Sequence, residues 1–259
     1  MELLAGTSGF SYPEWKGPFY PAELAEHEHL AYYGARLPTV EINNTFYRMP
    51  RAEVLGRWAE QVPERFRFIL KAPQRITHKS RLEGTADSVA YLWKTSASLG
   101  ARRGPFLFQL PPYLRANLDK LRRFLSELPT GMRAAFEFRH ESWTQPAIVD
   151  ALREAGCALC IADNDAAEDD AVEAPEPPVV ATADFGYLRL RRPAYSDAEL
   201  DGWAERIRAQ GDVWREVYVF FKHEDAGVAP AMAQRMSARF PSSSSALAVP
   251  SAEATPRWP

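Results

Sequence analysis

Eight apolar runs with strand character, beginning near Leu3, Thr39, Phe66, Phe106, Ala134, Ala158, Tyr187 and Val217, constrain this chain more than any other feature. Their spacing averages about thirty residues, the length of one strand–helix unit. Between most of them apolar residues recur at helical spacing. Residues 24–37 carry Leu30, Tyr33 and Leu37; 52–61 carry Val54, Leu55 and Trp58; 87–99 carry Val89, Leu92, Trp93 and Ala97. The clearest pattern is 117–128, through Leu118, Leu121, Phe124, Leu125 and Leu128. Residues 145–155 follow with Ile148, Val149 and Leu152, and 229–240 with Met232, Met236 and Phe240. Residues 197–209 open on a capping Ser196 and align Leu200, Trp203 and Ile207. The sixth connection, 164–178, breaks the rule: it is acidic, contains Pro175, Pro177 and Pro178, and reads as an irregular loop.

This alternation predicts a single-domain α/β fold, a TIM-type (β/α)8 barrel, rather than an open doubly wound sheet. The chain has no Gly-rich strand-to-helix turn of the dinucleotide type, and Gly6-Thr-Ser-Gly9 lacks the P-loop lysine. The barrel is expected over residues 1–240, with the Ser-, Ala- and Pro-rich residues 241–259 as a flexible tail.

A hydrophobic content of 46% supplies enough apolar surface for one core, and a net charge of -3 gives no global attraction to nucleic acid or anionic lipid. Met1-Glu-Leu-Leu-Ala-Gly6 has no basic stretch leading into a long apolar run, and no segment has the length and apolarity of a membrane span. The two cysteines make no disulfide framework, so a cytoplasmic location is expected. Cys157 and Cys160 have a C-x-x-C spacing, but no second pair completes a zinc site and they sit in an apolar strand. They are expected to pack as small hydrophobes.

In such barrels chemistry gathers at the carboxyl ends of the strands. Because side chains alternate along a strand, parity separates an inward polar set from an outward apolar one. Glu41 and Asn43 alternate with Val40 and Ile42; Lys71 opposes Phe66, Phe68 and Leu70; Gln109 opposes Phe106, Phe108 and Leu110. Glu137 and Arg139 oppose Phe136 and Phe138, Asp163 ends the sixth strand, Arg189 and Arg191 come from the seventh, and Lys222 and His223 close the eighth. Arg67 has inward parity at the opposite end and reads as preceding the strand start. Glu137, Glu41 and Lys71 are the candidate catalytic residues. Asn43, Tyr47, His78, Gln109, Arg139, His140, Trp143, Asp163, Arg189 and Arg191 are the candidate binding residues, and Trp15 is a further ring that could stack on a ligand. Each alone also has a structural reading, such as loop packing for the aromatics and capping for His78 and His140.

Several motifs together resemble the YecE-like family, domain of unknown function 72. They are Gly6-Thr-Ser-Gly-Phe-Ser-Tyr12 with Trp15, Gly17 and Phe19-Tyr-Pro21; Glu41-Ile-Asn-Asn-Thr-Phe-Tyr47; and Phe68 to Lys71 with Ile76-Thr-His78. Phe108-Gln-Leu-Pro-Pro112, Phe136-Glu-Phe-Arg-His140 with Ser142-Trp143, and Tyr187-Leu-Arg189 complete the series, which covers roughly residues 5–230. The resemblance implies a TIM-type barrel and no established reaction. Two departures from the family pattern fall at the expected mouth. Arg191-Arg-Pro193 stands where the family carries His-Gly, and Lys222-His223 where it favours Asn-Asn after Phe.

Three functions compete. The favoured one is an enzyme, hydrolase or isomerase, working by acid/base chemistry on a polar anionic small molecule such as a phosphorylated sugar. Arginine and lysine would hold the anion, and paired carboxylates would exchange protons. The second is a nucleic-acid binder or phosphodiesterase, because residues 65–81 hold six Lys or Arg and no acid, with Arg102, Arg103, Arg115, Arg122 and Arg123 adding charge. The third is a metal-dependent hydrolase or isomerase that takes a divalent ion on Glu41, Glu137, Asp163, His140 and His223, although the small number of histidines, five, and the lack of an H-E-x-x-H spacing argue against it. No cofactor other than that ion is expected. Nothing in the sequence sets the oligomeric state.

Overall fold

Eight parallel strands close into one barrel, each paired with its sequence neighbour and the last paired with the first. The computed structural model describes residues 1–163, 178–222 and 227–241. Residues 164–177 of the loop expected at 164–178, His223 and the tail expected after Pro241 lie outside the described residues.

The strands are β1 (Glu2–Ser8), β2 (Thr39–Ile42), β3 (Arg67–Lys71), β4 (Arg103–Gln109), β5 (Ala134–Glu137), β6 (Ala158–Asp163), β7 (Phe185–Leu190) and β8 (Glu216–Phe221). The helices are α1 (His29–Gly34), α2 (Ala52–Glu60), α3 (Ala86–Ser96), α4 (Leu118–Ser126), α5 (Pro146–Glu154), α6 (Asp197–Arg208) and α7 (Val228–Ala238). The TIM-type barrel expected from the alternation is therefore the observed fold.

Local chemistry explains the helix boundaries. Asn117 caps α4 by accepting from the Lys120 amide at 2.9 Å, and Leu121, Phe124 and Leu125 are buried beneath the helix. Ser196 starts α6 with a reciprocal box: its amide donates to Glu199 at 2.8 Å while its hydroxyl accepts from the Glu199 amide. Such a cap contributes about 1 kcal/mol. Helix α1 is shorter than the pattern over 24–37 predicts. Glu26–Glu28 form a tighter 3-10 turn, and the chain leaves the helix before Leu37, which Pro38 holds out of helical geometry. Leu37 still packs into the core.

Two apolar layers follow from strand parity. Val40, Ile42, Phe68, Leu70, Phe106, Phe108 and Phe136 point outward and pack under the helices. Leu4, Ile69, Leu107, Ala135, Cys160, Tyr187 and Phe220 fill the barrel interior. Burying each large side chain contributes about 1.5–3 kcal/mol, so the helix layer and interior together carry most of the stability. Gly6 permits the close approach of β1 to β2, because a Cβ there would collide with the Thr39 carbonyl. Arg67 is the first residue of β3 rather than a residue before it. It lies at the amino-terminal end of the barrel, where Arg133 pairs with Glu216 at 2.6 Å.

Candidate functional site

At the carboxyl end of the barrel, several strands deliver polar side chains to a single buried cluster. Glu41, Glu137 and Arg189 are 0, 1 and 3% exposed. The Arg189 guanidinium spans both acids, donating to Glu41 Oε1 at 2.8 Å and to Glu137 Oε2 at 2.6 Å. Gln109 donates to Glu137 Oε1 at 2.8 Å, and Arg191 Nη1 lies 3.8 Å from the same oxygen. Glu41 also accepts from Ser8 Oγ at 2.8 Å, Asn43 Nδ2 at 3.2 Å and Tyr187 Oη at 2.6 Å. Isolated buried carboxylates would be costly, and these donors compensate for the lost water.

The electrostatics follow from those contacts. Burial alone would raise the Glu137 carboxyl, but Arg189, Arg191 and Gln109 outweigh it and hold it down at about 2. Glu41 is lowered in the same way, with burial opposed by Arg189, Tyr187 and Ser8. Both acids are therefore ionised at neutral pH, and every one of their oxygens accepts a strong donor. Such stable anions are poorly suited to exchange protons near neutrality.

Lys71 closes β3 with inward parity and is half-buried. Its Nζ lies 4.5 Å from the Phe46 ring centroid, and no carboxylate comes within ion-pair distance among the described residues. Burial and the neighbouring Arg189 push its ammonium down to about 8, against the partial support of Glu137 and Glu41. His78 stands on a single π-helical turn, Arg75–Lys79, shortly after β3. Its ring meets Phe46 edge-on at 4.8 Å, and its Nδ1 shares a 2.8 Å hydrogen bond with Thr77 Oγ1. Burial, with Lys71 and Arg139 nearby, lowers His78 to about 4, so the ring is neutral at neutral pH. Tyr47 packs edge-on against Phe46 and is 75% exposed on the rim.

Several expected members of the site fall elsewhere. Asp163 shares outward parity with Leu159 and Ile161, so it faces α6 and takes Arg192 Nε at 2.8 Å and the Tyr195 hydroxyl at 3.0 Å. Strand β5 ends at Glu137, which puts Arg139 on the loop beyond it, near His78, and not on a strand face beside Glu137. His140 Nδ1 accepts from the Ser142 amide at 3.1 Å and so caps the next turn. Trp143 is buried, stacked on Phe138 at 4.5 Å, with its Nε1 donating to the Leu114 carbonyl at 2.7 Å. Trp15 is fully buried against Tyr12 and Phe19. Trp15 therefore offers no face to a ligand, whereas Trp143 borders a small cavity with Phe138, His140, Val149 and Leu159.

Parity did identify Glu41, Asn43, Lys71, Gln109, Glu137, Arg189 and Arg191 as one group. It missed Ser8, Tyr187 and Phe46. Ser8 has the inward parity of Leu4 on β1, and Tyr187 sits two residues before Arg189 on β7, so the same test finds both. Phe46 lies on a 3-10 turn after β2, where strand parity has no hold.

The basic segment 65–81 is divided by β3 itself. Arg67 begins the strand at the amino end, whereas Arg75 and Lys79 follow it at the carboxyl end. Arg102 joins the amino end through hydrogen bonds to the Val62 and Pro63 carbonyls. Arg67 and Arg102 therefore lie at the opposite end of the barrel from Arg75 and Lys79. Among the described residues no three His, Cys, Asp or Glu side chains gather as metal ligands, and His223 lies outside those residues. Cys160 faces the barrel interior and Cys157 the helix layer, so the pair shares no ligand position. Burial pushes the Cys157 thiol up to about 12. No helix of the described residues is long and apolar enough to cross a membrane.

The family model described as protein of unknown function DUF72 matches residues 4–257. This chain belongs to the DUF72 family. DUF72 relatives include UPF0759 protein YecE of Escherichia coli (strain K12), 35% identical over 141 residues, which are 53% of this chain and 48% of that protein. UPF0759 protein YunF of Bacillus subtilis (strain 168) is 30% identical over 135 residues, 49% of this chain and 48% of that protein. The chain thus spans about half the length of the curated relatives it matches. A DUF72 crystal structure from Thermotoga maritima has a TM-score of 0.75 at 25% identity, covering 92% of this chain and 98% of that one. One from Enterococcus faecalis has a TM-score of 0.77 at 20% identity, covering 92% and 94%, and shares the fold. The family's description assigns no activity. In this chain, Arg191 places a guanidinium beside Glu137, and Arg192 places another that binds Asp163 and Glu199.

Proposed function

We propose that the carboxyl-terminal mouth binds a polar anionic small molecule, of the type of a phosphorylated sugar, and acts on it by proton transfer. Lys71 carries this reading. It is a half-buried cation without a carboxylate partner among the described residues, and its proton is held at about 8. An anionic group would supply the missing countercharge, and an amine titrating close to neutrality is suited to moving a proton.

The other residues divide the remaining tasks. Arg189, clamped between Glu41 and Glu137, is a preorganised positive centre that needs no rearrangement on binding. Arg191 and Arg139 add positive charge, Asn43 and Gln109 offer amide hydrogen bonds, and Tyr47 presents a ring face at the rim. Glu137 and Glu41 orient Arg189 rather than exchange protons themselves, because strong donors occupy their oxygens.

Calorimetric titration of inorganic phosphate and ribose 5-phosphate into wild type and Lys71→Met tests this reading. Wild-type affinity should weaken as pH rises through about 8. Lys71→Met should bind about ten- to a hundredfold more weakly at neutral pH, the loss of one charged contact. Equal affinity in the two proteins, or wild-type binding indifferent to pH, would sink the proposal.

A further inference from the structure

We propose that Lys71 forms an imine with a carbonyl group of its substrate, so that the ligand of this mouth is an aldehyde or ketone that also carries an anionic group. This rests on the reading above, that the mouth receives a polar anion, and narrows its chemical class.

The geometry isolates the Lys71 amine. Structural lysines near buried acids normally pair with them, yet here Arg189 takes one oxygen from each acid, and Tyr187, Ser8, Asn43 and Gln109 also donate to them. Lys71 Nζ is left against the Phe46 ring with the Arg189 and Arg191 charges nearby. An amine that is partly desolvated and set beside fixed cations releases its proton readily, which is how lysine becomes a nucleophile. With its proton held at about 8, roughly a tenth of Lys71 is free base at pH 7. Glu41 and Glu137 stand close enough to support a positive charge on the nitrogen without binding it.

The reaction needs only one further group to move a proton, and His78 meets that need. Its ring shares Phe46 with Lys71, is neutral, and has Nδ1 tied to Thr77, which leaves Nε2 for the relay. The free amine adds to the carbonyl carbon, making the C–N bond while the carbonyl oxygen takes a proton. The carbinolamine hydroxyl receives a second proton through His78 and leaves as water, as the nitrogen lone pair closes the C=N bond. In sum, the Lys71 ammonium and one carbonyl compound give one protonated imine and one water. Charge is unchanged, and neither oxidant nor reductant is consumed. The resulting iminium draws electrons from the adjacent carbon, so the proton transfer proposed for this site would occur there.

Reductive trapping tests the inference. The full chain is incubated with dihydroxyacetone phosphate, glyceraldehyde 3-phosphate or pyruvate and sodium cyanoborohydride at pH 8, then digested and mapped by mass spectrometry. The chain has six lysines, at 16, 71, 79, 94, 120 and 222, so five serve as internal controls. At least one probe should label Lys71 at least about tenfold faster than any other lysine, and inorganic phosphate should slow that labelling. Lys71→Arg keeps the charge and should show no preferred site, with an unchanged melting profile reporting an intact fold. Uniform labelling, or labelling that spares Lys71, overturns the imine. If phosphate still binds in a Lys71-dependent way while no probe labels Lys71, the imine falls and the anion site stands. Absence of both removes both.

Discussion

Arg189 on β7 reaches across the barrel to Glu41 on β2, 148 residues earlier in the chain, and holds its carboxylate at 2.8 Å. The other nitrogen of the same fork holds Glu137. Replacing Arg189 with Met would leave two carboxylates buried against each other without their main counter-ion. Breaking a buried pair in this way costs about 3–5 kcal/mol. Urea unfolding at pH 7 should report a loss in that range, and a loss under about 1 kcal/mol would mean that the acids find equivalent partners elsewhere.

Acid should weaken the protein partly through Glu137. Its folded carboxyl titrates at about 2, below the ordinary value of 4.5. A depressed carboxylate contributes stability that is present above the unfolded value and lost as pH falls toward the folded one. The window therefore runs from about 4.5 down to about 2. Glu137→Gln should flatten the fall of the urea midpoint across that window, while lowering stability at pH 7. An unaltered slope would show that other groups govern acid unfolding.

Lys71 has the opposite sign. Its folded ammonium titrates at about 8 against an ordinary 10.5, so between those values the unfolded chain binds more protons and stability rises with pH. Below about 8 the full cost of holding the charge is present. Lys71→Met should therefore be more stable than wild type at pH 7, with the gain shrinking steadily toward pH 10.5. A destabilised variant at pH 7 would mean that the ammonium is better solvated than its surroundings indicate. Sites under functional constraint commonly carry such a stability cost.

Tyr187→Phe removes the 2.6 Å donor from Glu41 Oε2 and leaves that oxygen buried. An unsatisfied buried acceptor costs about 1–3 kcal/mol. Ser8→Ala, which removes a donor from the better-served Oε1, should cost less. Chemical denaturation of the two variants side by side checks the order, and the reverse order would contradict the assigned contacts.

Gly6→Ala probes the scaffold rather than the site. A methyl group there meets the Thr39 carbonyl, which is backbone and cannot swing aside. The β1–β2 seam must open, carrying Ser8 away from Glu41. Loss of soluble, cooperatively melting protein is the expected outcome. A variant melting within a few degrees of wild type would show that the seam yields easily.

The fold was largely legible because each of its signals is local. The helix over 117–128 declares itself by apolar spacing and Asn117, and α6 by Ser196 with Glu199 three residues on. The site was legible where a polar residue lay within a regular strand: Glu41, Lys71, Gln109, Glu137 and Arg189 all follow parity. It failed at strand ends. Asp163 has outward parity and was grouped with the others only because it closes a strand. Arg139, His140 and Trp143 lie past the end of β5, where alternation no longer applies and a capping turn sets direction. Phe46 went unseen for the same reason.

Apolar period and strand spacing, read from neighbours along the chain, were sufficient to specify a closed α/β barrel and to name most of the charges at its mouth. Which charge answers which was decided only by the tertiary structure. Arg189 chooses Glu41 and Glu137 because barrel closure brings distant strand ends within hydrogen-bond reach, a proximity no linear spacing encodes. That choice leaves Lys71 short of an anion and sets the acidity of all four groups, because a proton's affinity depends on burial and on the charges around it.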